Sequence, residues 1–140
     1  ADVTLVAGPV HQATPRGVRR VDVGSAQQMF DAVMAAVPAQ DVFVATAAVA
    51  RLPKPPYCVG FAAESHDLLK HAREKLVRKG VPLIVGNLGP ATFGQNHNAL
   101  LLVDAKGTRA LPHADKLTLA RQLVQEIATR LPPATPAPST

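Results

Sequence analysis

His71, Lys75 and Lys79 stand at i, i+4 and i+8 in the run HDLLKHAREKLVRK, which would line three basic side chains along one side of a helix. Such a row can hold phosphates. The competing reading is a solvated amphipathic face, supported by Asp67 with His71 and Glu74 with Arg78 at i, i+4. Just upstream, Gly60-Phe61-Ala62-Ala63-Glu64 puts small residues at the carboxyl end of an apolar run, where open α/β sheets bind ligands. Small side chains there admit a ligand to the backbone, but close strand-to-helix packing asks for the same residues. Gly94-Gln95-Asn96-His97-Asn98 lacks the lysine and the strand-to-helix setting of a phosphate loop and reads as a loop entering a strand. Among His11, His66, His71, His97 and His113 there is no i, i+4 pair and no cysteine neighbour, so no metal site is expected and these read as surface or loop histidines. Cys58 sits in an apolar run with no basic neighbour to lower its pKa, and reads as a packed thiol.

These residues need a scaffold, and the pattern supplies one. Val3 to Ala7 is a short apolar run closed by Gly8-Pro9, expected as a buried strand, and Val18 to Val23 alternates as a second extended piece. Ser25 is placed to cap a helix carrying Met29, Val33, Ala36 and Val37 on its apolar side, ended by Pro38. Val42 to Val49 and Tyr57 to Ala63 are nearly continuous apolar runs, as in strands covered on both faces. A helix from about His66 to Lys79 is expected, capped by Ser65, with Leu69, Ala72 and Leu76 facing the core and Gly80 as its stop. Val81 to Val85 is the next strand and Gly86 to Asn98 a loop. Ala99 to Asp104 and Thr108 to Leu111 form a hairpin turning at Lys106-Gly107. A last helix spans about Asp115 to Leu131 with Leu119, Leu123, Ile127 and Leu131 at helical spacing, and residues 132–140, rich in proline, read as a disordered tail. The sum is an α/β three-layer sandwich with a mostly parallel sheet and a late β-hairpin.

One connection does not fit. Parallel neighbours need a crossover of about a dozen residues or more, and between the runs ending at Val49 and starting at Tyr57 only Ala50 to Pro56 are present. The chain also opens directly on a strand, with no glycine-rich strand-to-helix turn before it, so segments are expected to be missing at both places.

Composition narrows the function classes. The 140 residues suffice for one domain, and 47% hydrophobic against 18% charged argues against disorder. No apolar run approaches the roughly 20 residues that span a bilayer, no leader is recognisable, and a single cysteine fits a reducing compartment, so cytoplasm is the expectation. A net charge of +5 admits a polyanion, yet with Tyr57 and four phenylalanines as the only aromatics there is no stacking platform, and a small phosphorylated ligand is favoured over nucleic acid.

Several blocks in order carry a resemblance. Val3-Thr4-Leu5-Val6-Ala7-Gly8-Pro9, Val21-Asp22-Val23 before Ala26 and Met29, and Ala47-Ala48-Val49-Ala50 are followed by Val59-Gly60-Phe61-Ala62-Ala63-Glu64. Then come Ala72, Lys75 and Lys79, and later Asn87, Phe93, Asn98-Ala99-Leu100 and Lys116. Over residues 1–131 the chain resembles phosphopantothenate–cysteine ligase of coenzyme A biosynthesis. The resemblance implies a Rossmann-like fold, a homodimer formed partly through the hairpin, and CTP-dependent ligation of 4'-phosphopantothenate to cysteine through an acyl-cytidylate, with Mg²⁺. It places Ala45, Thr46, Ala47 and Phe61 against the nucleotide, with Lys75 and Lys79 as nucleotide-binding lysines. FMN is implied only if a decarboxylase domain precedes the chain. The family's N-terminal glycine-rich block with its asparagine has no counterpart here, and after Ala50 the family's aspartate and lysine-bearing flap give way to Arg51-Leu52-Pro53. The expected catalytic residues are therefore absent, and this chain is expected to be inactive in ligation. The alternatives are a non-catalytic nucleotide-binding or interaction homologue and, from fold class alone, a dinucleotide-dependent oxidoreductase domain.

Overall fold

The computed structural model describes residues 1–46, 56–64, 67–88 and 97–132. Its contacts cluster into two units, one built on Ala1–Phe43 and one on Val44–Ala47 with Tyr57–Thr140.

In the first unit, β1 (Val3–Ala7) and β2 (Val18–Asp22) pair in parallel, Val3 opposite Val18 and Ala7 opposite Asp22. Their link is short for a parallel pair, and Arg20 ties it down: its guanidinium donates to the Gln12 carbonyl at 2.8 Å and to Asp22 Oδ1 at 2.7 Å. Arg19 and Arg20 thus lie in β2. Contrary to the expected buried strand, Val3 and Leu5 are 49% and 39% exposed. The helix α1 (Ala26–Ala36) starts as expected. Ser25 Oγ accepts from Gln28 N at 3.1 Å, and Gln28 Oε1 accepts in return from Gly24 N at 2.6 Å, a capping box displaced by one residue. A 3₁₀ turn at Val37–Ala39 containing Pro38 closes it, burying Val37.

The second unit is a five-stranded mixed sheet in the order β3 (Val42–Ala45), β4 (Tyr57–Glu64), β5 (Leu83–Leu88), β6 (His97–Asp104), β7 (Gly107–Asp115). Strands β4 and β5 are parallel, with Gly60 opposite Ile84 and Ala62 opposite Gly86. The pairs β5–β6 and β6–β7 are antiparallel, the second being the expected hairpin, with a bulge between Asn98 and Leu100. Its turn is held by Asp104 Oδ1, which accepts from the N–H groups of Lys106 at 2.9 Å and Gly107 at 3.1 Å.

Strand alternation sorts the residues onto two covered faces. On one, Ala62, Ile84 and Val103 pack with Ala72 of α2 (Leu68–Lys79), flanked by Leu76, Val81 and Leu101. On the other, Leu102 and Leu111 are buried where α3 (Lys116–Arg130) lies on β6 and β7 with Leu119, Leu123 and Ile127 inward. Asp115 caps α3, its carboxylate accepting from Thr118 N at 3.1 Å.

Several boundaries differ from expectation. Strand β3 ends at Ala45, and residues 47–49 lie outside the described residues, as do Ser65, His66, residues 89–96 and the tail from residue 133. Helix α2 starts at Leu68, with Asp67 as its N-cap in the left-handed region at φ 49° and no side-chain cap. The inward row is Leu68, Ala72 and Leu76, four apart, so Leu69 stands 39% exposed instead of facing the core. Gly86, expected in a loop, is a buried residue of β5. At the far end of α2 the Gly80 stop is as expected: at φ 63° its N–H reaches the carbonyls of Leu76 and Val77. Among the described residues no helix is long and apolar enough to cross a membrane.

Candidate functional site

Lys75 lies half-buried in the middle of α2, and its aliphatic stem runs along the sheet so that the ammonium donates to the backbone carbonyl of Phe61 in β4. The structure thus joins two of the residues singled out from sequence. Lys79 is one turn further along α2 and exposed. In the row His71, Lys75, Lys79 the first two are half-buried and the last is exposed, and Lys75 bonds to the sheet.

The Phe61 ring points away from Lys75. Gly60 and Ala62 face α2, so alternation turns Phe61 and Ala63 to the opposite side of β4. What links α2 to Phe61 is its carbonyl. On the neighbouring strand β3, Ala45 is buried at the last position and Thr46 follows it exposed; Ala47 lies outside the described residues.

The small residues of Gly60 to Glu64 divide between the two readings set out above. A Cβ on Gly60 would stand 2.9 Å from Ile84 Cδ1, and Ala62 is 3% exposed, so both serve close packing. Gly86 plays the same part, since a Cβ there would stand 3.0 Å from Leu68 Cδ1. Only Ala63 is left exposed to meet a ligand. The wall carrying Lys75 is therefore a rigid one, made of a helix lying close on two parallel strands.

Two open hollows are present elsewhere. One of about 580 Å³ runs beside the first turns of α2, lined by Leu69, Lys70, Arg73 and Glu74. Another of about 250 Å³ lies between Gly8, Pro9, Gly24 and Ser25 of the first unit. Neither is lined by Phe61, Lys75 or Lys79. Among the described residues no three of His, Cys, Asp or Glu come together as metal ligands. Cys58 is half-buried, and burial pushes its thiol up, which leaves it weakly nucleophilic.

Sequence reasoning missed one polar cluster. Arg130, at the end of α3, pairs with Asp104 of the hairpin at 3.1 Å and with Glu126 at 2.8 Å, while Arg109 reaches Glu126 at 3.0 Å. Burial alone would raise the Asp104 carboxyl. The N–H of Lys106, the Arg130 guanidinium and the N–H of Gly107 outweigh it and hold the carboxyl below its ordinary range. The tyrosine Tyr57 is raised, chiefly by burial, with Arg130 opposing and Asp104 adding. The i, i+4 spacing of Glu126 and Arg130 was the only signal of this cluster in the sequence. It fastens α3 to the hairpin turn and offers no opening to a substrate.

Comparison with known proteins places the chain. The family model for the DNA/pantothenate metabolism flavoprotein C-terminal domain matches residues 1–53 and 50–131. The chain belongs to this family. The chain is 34% identical over 169 aligned residues to the coenzyme A biosynthesis bifunctional protein CoaBC of Vibrio vulnificus (strain CMCP6), covering 92% of this chain and 42% of that protein. It is 35% identical over 171 residues to the CoaBC of Escherichia coli (strain K12), covering 93% and 42%. It thus spans less than half the length of these relatives. Among solved structures, the C-terminal domain of a CoaBC matches with a TM-score of 0.77 at 28% identity, over 92% of this chain and 76% of that one. The DNA/pantothenate metabolism flavoprotein from Streptococcus pneumoniae, at 12% identity and a TM-score of 0.74, shares the fold.

Proposed function

We propose that this chain is the nucleotide-handling domain of a cytoplasmic ligase of coenzyme A biosynthesis, in which CTP drives the joining of 4'-phosphopantothenate to cysteine. The observation that carries the reading is the contact of Lys75 with the Phe61 carbonyl. It sets a cation, with Lys79 one turn beyond, on the strand of Phe61, which the family resemblance assigns to the nucleotide pocket. The names of the relatives support the pathway.

In the proposed reaction a carboxylate oxygen attacks the α-phosphorus of CTP, the bond to the β-phosphate breaks, and pyrophosphate leaves with the electron pair. The cysteine amine then attacks the acyl carbon, forming the amide and releasing CMP and a proton. Charge accumulates on the phosphates in the first step, and Lys75 and Lys79 would offset it. No carboxylate cage for Mg²⁺ stands among the described residues, so the ion would enter held by the triphosphate, shielding its charge. Ala45 and Thr46, at the end of the adjacent strand, would border the nucleoside.

The test is calorimetric titration of CTP at two salt concentrations. Lys75→Ala or Lys79→Ala removes a charge-assisted contact of about 1.5–3 kcal/mol and is expected to weaken binding roughly ten- to hundredfold. Lys70→Ala, on the same helix but outside the row, should change it little. Equal small losses in all three variants, fading together with salt, would mark a mere surface-charge effect and remove the reading.

A further inference from the structure

We propose that Thr14 is a phosphorylation site, modified by a proline-directed protein kinase, and that Arg20 clamps the new phosphate and so fastens the link between β1 and β2. Neither residue belongs to the nucleotide site above. Thr14 is exposed and is followed by Pro15. Proline biases the residue before it to extended backbone, the form in which a kinase cleft takes a hydroxyl-bearing segment. Just beyond, the chain turns: Val18 N donates to the Pro15 carbonyl at 3.2 Å, and Gly17 at φ 78° supplies the left-handed position. The turn holds the Thr14 hydroxyl at a defined place beside β2.

What sets Thr14 apart is the guanidinium beside it. Arg20 Nη1 donates to Thr14 Oγ1 at 3.4 Å, a long contact, and to the Gln12 carbonyl at 2.8 Å, while its Nε donates to Asp22 Oδ1 at 2.7 Å. Among the described residues Arg20 Nη2 has no partner. The side chain is 18% exposed and already held at two points, so it has little freedom left to lose when a phosphate arrives. A neutral hydroxyl uses this fork poorly. A phosphate adds three acceptor oxygens and about two negative charges, and it can take Nη1 and Nη2 together while Asp22 keeps Nε. No carboxylate residue stands between Asp2 and Asp22 in the sequence, whereas Arg16 and Arg19 add two further cations. In the transfer, Thr14 Oγ1 attacks the γ-phosphorus of ATP and the bond to the β-phosphate oxygen breaks. ADP leaves with the electron pair, and the hydroxyl proton passes to a carboxylate base of the kinase. One arginine then fastens the link at Gln12, Thr14 and Asp22.

The experiment treats this chain with ATP·Mg²⁺ and a proline-directed serine/threonine kinase and locates the phosphate by tandem mass spectrometry. Thr135-Pro136, the other Thr-Pro pair in the sequence, is the internal comparison. The expected result is phosphate on Thr14, with or without Thr135, and hydrogen exchange at the Val18 amide slowed about tenfold or more on phosphorylation. Arg20→Gln should abolish that slowing. Phosphorus NMR of the phosphorylated unaltered chain should show the Thr14 phosphate titrating below its ordinary second pKa of about 6, because the guanidinium favours the dianion, and returning there in urea. Phosphate on Thr135 alone overturns the assignment of the site. A Thr14 phosphate that titrates at its ordinary value with Val18 exchange unchanged, or slowing of equal size in Arg20→Gln, overturns the clamp. Should Arg20→Gln fail to fold, the phosphorus titration of the unaltered chain decides.

Discussion

Glycines in this chain differ sharply in what they are for, and the difference is measurable one residue at a time. Gly86→Ala would place a methyl 3.0 Å from Leu68 Cδ1 and Gly60→Ala one 2.9 Å from Ile84 Cδ1, so each neighbouring side-chain end must shift. Each is expected to cost about 1–3 kcal/mol in chemical denaturation. Gly8→Ala has nothing within 4 Å of its new methyl and should lie within about 0.5 kcal/mol of the parent. Asp104 yields a pH prediction. Its carboxyl titrates below the ordinary range when folded, so its stabilisation is complete above the unfolded carboxylate pKa of about 3.9 and is lost as the pH falls through the depressed folded value. Asp104→Asn should therefore lower stability at pH 7 by about 1–2 kcal/mol and flatten the acid limb of a stability-versus-pH curve. An unchanged acid limb would show that the pairing with Arg130 and the turn N–H groups contributes nothing.

At the scale of elements, α2 decides most of the site, through the face it turns to the sheet. A helix turned to bring Leu69 inward would rotate the row away from the one observed; turned with Leu68 inward it brings Lys75 onto Phe61. Truncating the two leucines separates these arrangements. Leu68→Ala is expected to destabilise by about 1–2 kcal/mol, since Leu68 fills the space over Gly86, while exposed Leu69→Ala should stay within about 0.5 kcal/mol. The reverse ranking would refute the observed orientation of α2. In α1, Ser25→Ala removes the hydroxyl that accepts from Gln28 N and should cost about 1 kcal/mol of the stability of its unit.

At the scale of the whole molecule, the expected homodimer has to be reconsidered face by face. Leu100, Leu102 and Leu111 form an apolar face of the hairpin in the sequence, of the kind a second copy could cover. Leu102 and Leu111 are 1% and 5% exposed in the chain by itself, in the layer where α3 lies on β6 and β7. If the family resemblance holds for assembly, sedimentation at micromolar concentration will show a dimer. Leu102→Ala should then lower the unfolding free energy by about 2–5 kcal/mol without dissociating that dimer. Dissociation by Leu102→Ala with stability intact would return this face to the interface.

The sequence by itself determined the alternation of strands and helices, the capping of α1 by Ser25 and the Gly80 stop. It also determined the late hairpin, the inward row of α3 and the order of family blocks around Phe61, Lys75 and Lys79. All of these are written locally, in hydrophobic period, cap chemistry and short spacings, which a one-dimensional reading can follow. Only the tertiary structure decided that Gly60 and Gly86 are there for packing, that Leu68 and not Leu69 faces inward, and that Lys75 ends on the Phe61 carbonyl. It alone joined Asp104, Arg130, Glu126 and Arg109 into one cluster and covered the leucine face of the hairpin. The physical reason is common to all of these. Each depends on which element lies against which face and at what distance, and such contacts join residues far apart in the chain, where neither propensity nor period carries information.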